Sequence, residues 1–286
     1  MDALRSSRIS LHFLITARAI GRVPSLLDAM SKFLRTIVLI VLAVVLLPYA
    51  LTPVYIFVRP VSSPMLWRWM LGERVERIWV PLDRLSPALP LAVLIAEDAR
   101  FCQHAGVDWE GVRTAIEDAQ DGEVRGASGI TQQVAKNLFL WSGRSYVRKA
   151  LEVPLAYWLD LVLGKRRTLE IYLNVAEWGP NGEFGAEAGA RRAFGHSARE
   201  LSLHEAALLA AVLPNPIRRS AARPRPVLLR LAALYQARAL RSPQVDECVR
   251  AGRSRRSIAR LTRDDRNREG GAKAFYAISA DRRAAR

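Results

Sequence analysis

The chain is 286 residues long and half hydrophobic, with 43 Lys and Arg against 27 Asp and Glu for a formal net charge of +16. That suffices for one sizeable domain beside an anchor and excludes a second domain of similar size. A pI near 10.9 ordinarily raises nucleic acid as a partner. Residues 250 to 286, however, hold eleven Arg and one Lys against four acidic residues; half of the excess therefore lies in one stretch without a nucleic-acid motif, and no nucleic acid is expected.

Residues 1 to 36 carry Arg5, Arg8, Arg18, Arg22, Lys32 and Arg35 without a convincing core pattern and read as a basic amino-terminal segment. Met30-Ser31-Lys32-Phe33 would itself make a normal start, so translation from Met30 is a second reading, which an intact mass containing residues 1 to 29 would reject. Residues 37 to 58 (IVLIVLAVVLLPYALTPVYIFV) form an uncharged apolar run, which at ~1.5 Å per residue spans roughly 33 Å, enough for a bilayer core. Pro48 and Pro53 fall in its second half and are tolerated better in membrane spans than in soluble helices. A cleaved signal peptide is the alternative, but this run is too long and lacks a clear small-residue cleavage site. Basic residues before the span outnumber Arg59, Arg68, Arg74 and Arg77 after it. By the positive-inside rule the amino terminus is cytoplasmic and the rest of the chain faces outward.

Residues 59 to 241 read as one domain. Trp67, Trp69 and Trp79 among several Arg residues suit a membrane interface, and RIWVPL (77 to 82) reads as a short strand or extended link. From Leu91 the pattern is helical and strands are scarce, so the fold class is mainly α. Helices are expected over 91–103, 108–120 with Asp108 as N-cap, 131–140, 144–163, 169–174, 201–213 with a Ser202/Glu205 capping box, and 227–240.

From the first of these onward, Glu97, Phe101, His104 and Asp108 recur in steps of four, three and four, which would place them on one stripe of a continuous helix. Glu97 follows the apolar run Ala92 to Ala96; partial burial there raises a carboxyl pKa toward the range of a general base. A capped core helix, its Glu and His bonded to nearby backbone, is the plainer reading of the same residues. Residues 126 to 133 (GASGITQQ) then deliver a flexible turn to a helix start, an arrangement suited to a phosphate or other anion. Gln133, Lys136 and Leu140 continue on one face. Arg148 and Glu152, four apart, form either a surface ion pair or part of a pyrophosphate site, and Pro154 points to a helix break beside them. The apolar stretches 138–141 and 154–163 read either as core or as segments that dip into the membrane. Residues 242 to 286 read as a basic, disordered tail. Cys102 and Cys248 indicate neither a disulfide framework nor a zinc site, Cys102 being taken as helix packing, and no metal-ligand spacing is present.

Residues 97 to 108 (EDARFCQHAGVD) match the EDxxFxxHxGxD pattern of the glycosyltransferase family 51 peptidoglycan polymerases. Residues 126 to 140 resemble their GxSTITQQxAKNLFL box, 148 to 152 their RKxxE box, 169 to 179 (LEIYLNVAEWG) their ExYLNxxxxG box, and 185 to 195 (GAEAGARRAFG) their GxxxAAxxYFG box. With one apolar span and no room for a transpeptidase domain, the chain resembles the monofunctional members.

The resemblance implies a lysozyme-like helical catalytic domain on the outer face of the bacterial inner membrane. It implies polymerisation of lipid II into glycan strands, with inversion at the donor anomeric carbon and release of undecaprenyl diphosphate. Lipid II, the growing strand, the membrane and other cell-wall synthases are the partners implied. Glu97 becomes the base for the acceptor 4-hydroxyl and Glu152 the second carboxylate. Lys136 and Arg148 meet the diphosphate charge and Gln133 orients it, while Asp98, Phe101, His104, Ser128 and Asn137 complete the substrate site. No cofactor is expected to bind tightly, and a divalent Mg or Mn ion enters only with the substrate diphosphate. Gly129 stands where the family box has Thr, which removes a hydroxyl and loosens the turn; Gly129→Thr is expected to leave polymerisation measurable. Two rivals are kept: a glycan-cleaving enzyme of lytic or lysozyme type, and a non-catalytic membrane-anchored cell-wall scaffold.

Overall fold

The computed structural model describes residues 26–120, 128–143 and 145–250. Gly126 and Ala127 of the expected turn, residues 1–25 of the segment before a start at Met30, and all but the first nine residues of the expected tail lie outside them. The chain divides into a unit up to Pro48 and a unit from Tyr49 onward.

In the first unit lies most of α1 (Leu26–Leu51), whose charged residues Asp28, Lys32 and Arg35 precede an unbroken apolar stretch. The α-helix stops at Leu51 because Pro53 disfavours helical geometry in the residue before it, and a 3₁₀ turn over Thr52–Ile56 follows. Among the described residues, Met30–Ile56 is the one segment long and apolar enough to cross a membrane.

The second unit is helical. Its elements are α2 (Ser63–Met70), α3 (Ala88–Glu97), α4 (Trp109–Gln120), α5 (Ile130–Phe139), α6 (Tyr146–Val175), α7 (Ala186–Phe194), α8 (Leu203–Val212) and α9 (Pro226–Arg241). Two-residue strands β1 (Glu76–Arg77) and β2 (Glu183–Phe184) pair in parallel. The helix α3 is apolar on every side, ALPLAVLI, and all eight of those residues are buried, which is what a helix at the centre of a core requires. Pro90 fits because it lies in the first turn, where a backbone N–H has no helical acceptor. Around α3 pack α8 and α9, while α5 lies along α6. Ser202 and Glu205 form the expected capping box at the start of α8, and Asp108 accepts from Gly111 N at 2.9 Å at the start of α4.

Four expectations are corrected. The helix α3 ends at Glu97, not at Gln103: Asp98 turns extended (φ −162°) so that its carboxylate can reach α5, and residues 99 to 106 form turns. Helical geometry continues through Pro154, where Ala150, whose carbonyl loses its donor, is exposed to solvent; the break falls at Gly164, with φ +67°, a conformation only glycine adopts freely. Cys102 and Cys248 are joined in a disulfide across 146 residues. Accordingly the domain does not end at residue 241: a 3₁₀ turn over Glu247–Val249 buries Val249, and Arg166 donates to its carbonyl at 2.9 Å. Spacing cannot reveal such a pairing, because the turn after α3 alone brings Cys102 to the segment following α9.

Candidate active site

Glu97 is the last residue of the buried helix α3, so its side chain leaves the core at a boundary. Gln133 Nε2 donates to its Oε2 at 2.8 Å. Burial pushes the Glu97 carboxyl above its ordinary value; the Gln133 hydrogen bond and the charges of Lys136 and Arg219 pull it back, and Asp98 pushes it up again. Lys136, one turn beyond Gln133 on α5, is lowered by burial and by Arg148 and raised by Glu97.

Asp98 works differently from its neighbour. Its Oδ2 accepts from Ile130 N at 2.8 Å and its Oδ1 faces His104 Nε2 at 2.9 Å. A carboxylate from another helix thus caps α5 and completes its positive end. Gly129 is the N-cap residue there, and a Cβ on it would lie 2.5 Å from Asp98 Oδ2. Glycine at this position therefore makes room for Asp98, and its φ of −66° needs no glycine flexibility; this corrects the expectation of a loosened turn. Phe101 is fully buried, edge-on to His104 and 4.6 Å from Lys165 Nζ, so it supports the turn and does not line an open surface.

A second centre forms at the start of α6. Glu152, 2% exposed, receives Arg148 on one oxygen and Lys149 Nζ on the other, the latter at 3.0 Å. Lys149 also donates to Ser128 Oγ, while the Ser128 carbonyl accepts from Gln133 Nε2 at 3.3 Å. Ser128 is thereby the bridge between the Glu97 centre and the Glu152 centre. Despite its Glu152 contact, Lys149 is lowered to about 8 by burial and by the charges of Arg148 and Lys136. Asn137 lies half-buried on the same face of α5 as Gln133, and its carbonyl accepts from Ser63 Oγ at 3.2 Å.

The structure thus groups Glu97, Gln133 and Lys136 on one side with Ser128, Arg148 and Glu152 on the other, and sets Asp98 and His104 behind them. Sequence reasoning passed over Lys149, Tyr172 and Arg219. Lys149 sat inside the quoted RKxxE box, and Tyr172, inside ExYLN, donates to Gln133 Oε1 at 3.1 Å. Arg219 sits in the loop after α8, anchored on the Ala211 carbonyl at 2.7 Å, and no pattern marked it. Asn174 of the same ExYLN box is structural: its side chain bonds both backbone groups of Val80, at 2.8 and 2.9 Å.

For a resident metal the donor set does not fit. Both Glu152 oxygens already face cations, Asp98 is held by Ile130 and His104, and no group of three His, Cys, Asp or Glu side chains assembles among the described residues. What the site offers is a half-buried carboxylate able to take a proton, beside cations able to receive an anion.

Comparison with known proteins adds to this geometry. The transglycosylase family profile matches residues 65–238. The biosynthetic peptidoglycan transglycosylase of Rhodopseudomonas palustris strain TIE-1 is 58% identical over 224 residues, covering 78% of this chain and 94% of that protein. The protein of the same name from Nitrobacter hamburgensis is 56% identical over 225 residues, 78% of this chain and 99% of that one. Its namesake in Rhizobium meliloti is 52% identical over 218 residues, 75% and 92% of the two chains.

Proposed function

Since the chain belongs to the transglycosylase family and is a peptidoglycan glycosyltransferase, we propose that it polymerises lipid II into glycan strands with inversion at the donor anomeric carbon. The observation that carries this is the pairing of two centres through Ser128: a half-buried carboxylate, Glu97, held by Gln133, and a cluster of Arg148, Lys149 and Lys136 next to it. In the step proposed, Glu97 takes the proton of the acceptor 4-hydroxyl as that oxygen bonds to the donor anomeric carbon. The bond from that carbon to the diphosphate oxygen breaks, undecaprenyl diphosphate leaves with the electron pair, and the proton passes from Glu97 to water. Positive charge placed beforehand where the diphosphate develops its charge lowers the barrier without reorganisation. Glu152 holds the Arg148 and Lys149 side chains in place by accepting from both. Any Mg or Mn ion enters this reading as a companion of the substrate diphosphate.

We further propose that Met30–Ile56 anchors the protein in the bacterial inner membrane with the catalytic domain outside. The Cys102–Cys248 disulfide supports that side, since such bonds persist in oxidising compartments. Exposed apolar side chains support contact with lipid: Trp67, Trp69 and Met70 on α2, and Trp141, Tyr157 and Leu161 on the outer faces of stretches whose inner faces, Leu138, Leu155 and Leu159, are buried core.

Purified protein given lipid II in one reaction and finished sacculi in another tests the reading. Lengthening of the first with no release from the second is expected. Soluble fragments from sacculi with no lipid II consumption would favour the glycan-cleaving rival, and inertness toward both the scaffold.

A further inference from the structure

Gln133 can serve an ionised Glu97 only if its amide presents nitrogen, because a carboxylate accepts hydrogen bonds and donates none. Nε2 donates to Glu97 and to the Ser128 carbonyl, another acceptor that rejects the reversed amide. On the opposite side, Oε1 accepts from the Tyr172 hydroxyl. Tyr172 is 1% exposed and belongs to α6, a different helix from both Glu97 and Gln133. Its position is set by the rigid second half of α6, where Leu169, Ile171 and Leu173 are all fully buried.

We infer that Tyr172 is a positioning residue for the reaction: from behind α5 it holds the Gln133 amide so that its nitrogen stays on the Glu97 carboxylate. This deepens the proposed function and rests on Glu97 being the base. Without the hydroxyl, Gln133 Oε1 is left without its donor and the amide loses one of its three anchors, a cost that swinging away relieves. Glu97 then keeps its burial but loses a donor that favours its charged form. The other groups that act on Glu97 are Asp98 beside it, Lys136 on α5 and Arg219 after α8, and Tyr235 on α9 feels its charge in turn; all remain in Tyr172→Phe, so a change in titration reports the amide.

The test is the pH dependence of lipid II polymerisation by the full-length protein in detergent, for wild type, Tyr172→Phe, Gln133→Leu, the double variant and Glu97→Gln. Loss of one buried hydrogen bond should slow Tyr172→Phe about 2- to 10-fold in kcat with KM within about twofold. Its acid limb should move to higher pH, because an ionised base becomes harder to form. Gln133→Leu should move the limb the same way, and the double variant no further than Gln133→Leu alone. An acid limb in Tyr172→Phe that overlays wild type, or shifts that add in full, overturns the assignment while an inactive Glu97→Gln leaves the base standing. Near wild-type polymerisation by Glu97→Gln overturns both. If Tyr172→Phe does not fold, Gln133→Leu decides: an unshifted limb there removes the amide through which Tyr172 acts, and a shifted one upholds it.

Discussion

Gln133 Nε2 and Glu97 Oε2 lie 2.8 Å apart where the end of α3 meets the first turn of α5. The contact favours the ionised carboxylate, yet burial outweighs it and leaves Glu97 above the ordinary glutamate range. A base must be ionised to act, so the rate should climb with pH through a Glu97 titration that lies above that of an exposed glutamate. Initial rates of polymerisation across pH check this. An acid limb at the ordinary glutamate value would show that burial of Glu97 is relieved in the working enzyme.

Lys149 should set the opposite limb. Held to about 8 by burial and by neighbouring cations, it loses its charge as pH rises through that value, and with it one contact for the diphosphate. The profile should therefore be bell-shaped. Lys149→Arg, which stays charged, should move the basic limb upward, whereas Lys149→Met should depress the rate across the whole range.

Gly129 should resist a side chain. A Cβ there meets Asp98 Oδ2 at 2.5 Å, and Asp98 cannot easily yield because Ile130 N–H and His104 both hold it. Gly129→Ala should destabilise the domain by about 1–3 kcal/mol, the usual cost of forcing extra volume into a packed site, read as a lower midpoint of thermal unfolding. Gly129→Thr should behave likewise and keep reduced, measurable polymerisation. A variant more stable than wild type would mean that Asp98 moves aside freely.

The Cys102–Cys248 bond closes a loop across most of the domain and ties the turn after Glu97 to the segment after α9. Its removal by Cys248→Ser should cost about 2–4 kcal/mol. Reductant should lower the unfolding midpoint of wild type and leave Cys248→Ser unchanged. Equal midpoints for oxidised wild type and Cys248→Ser would contradict a stabilising role.

Much of this site could be read before any coordinates, because local chemistry carries local signals. The apolar run into Glu97 marked a buried helix, Ser202 and Glu205 marked a cap, and the QQVAK spacing put Gln133 and Lys136 on one face. What stayed hidden was tertiary. The sequence pattern extends α3 to Gln103, whereas Asp98 breaks it to cap a helix 32 residues further along the chain. Propensity placed a break near Pro154, whereas packing of Leu155 and Leu159 carries α6 through it and the turn comes at Gly164. Arg219 and the disulfide depend on chain segments far apart in sequence, which no spacing encodes.

Substitution of the Glu97 carboxylate is the most direct trial of this mechanism. Glu97→Gln keeps the shape of the side chain and removes its capacity to take a proton, so lipid II polymerisation should fall about 10²- to 10⁴-fold while the thermal unfolding midpoint stays near that of wild type. A folded Glu97→Gln protein that lengthens glycan strands at close to the wild-type rate would contradict it.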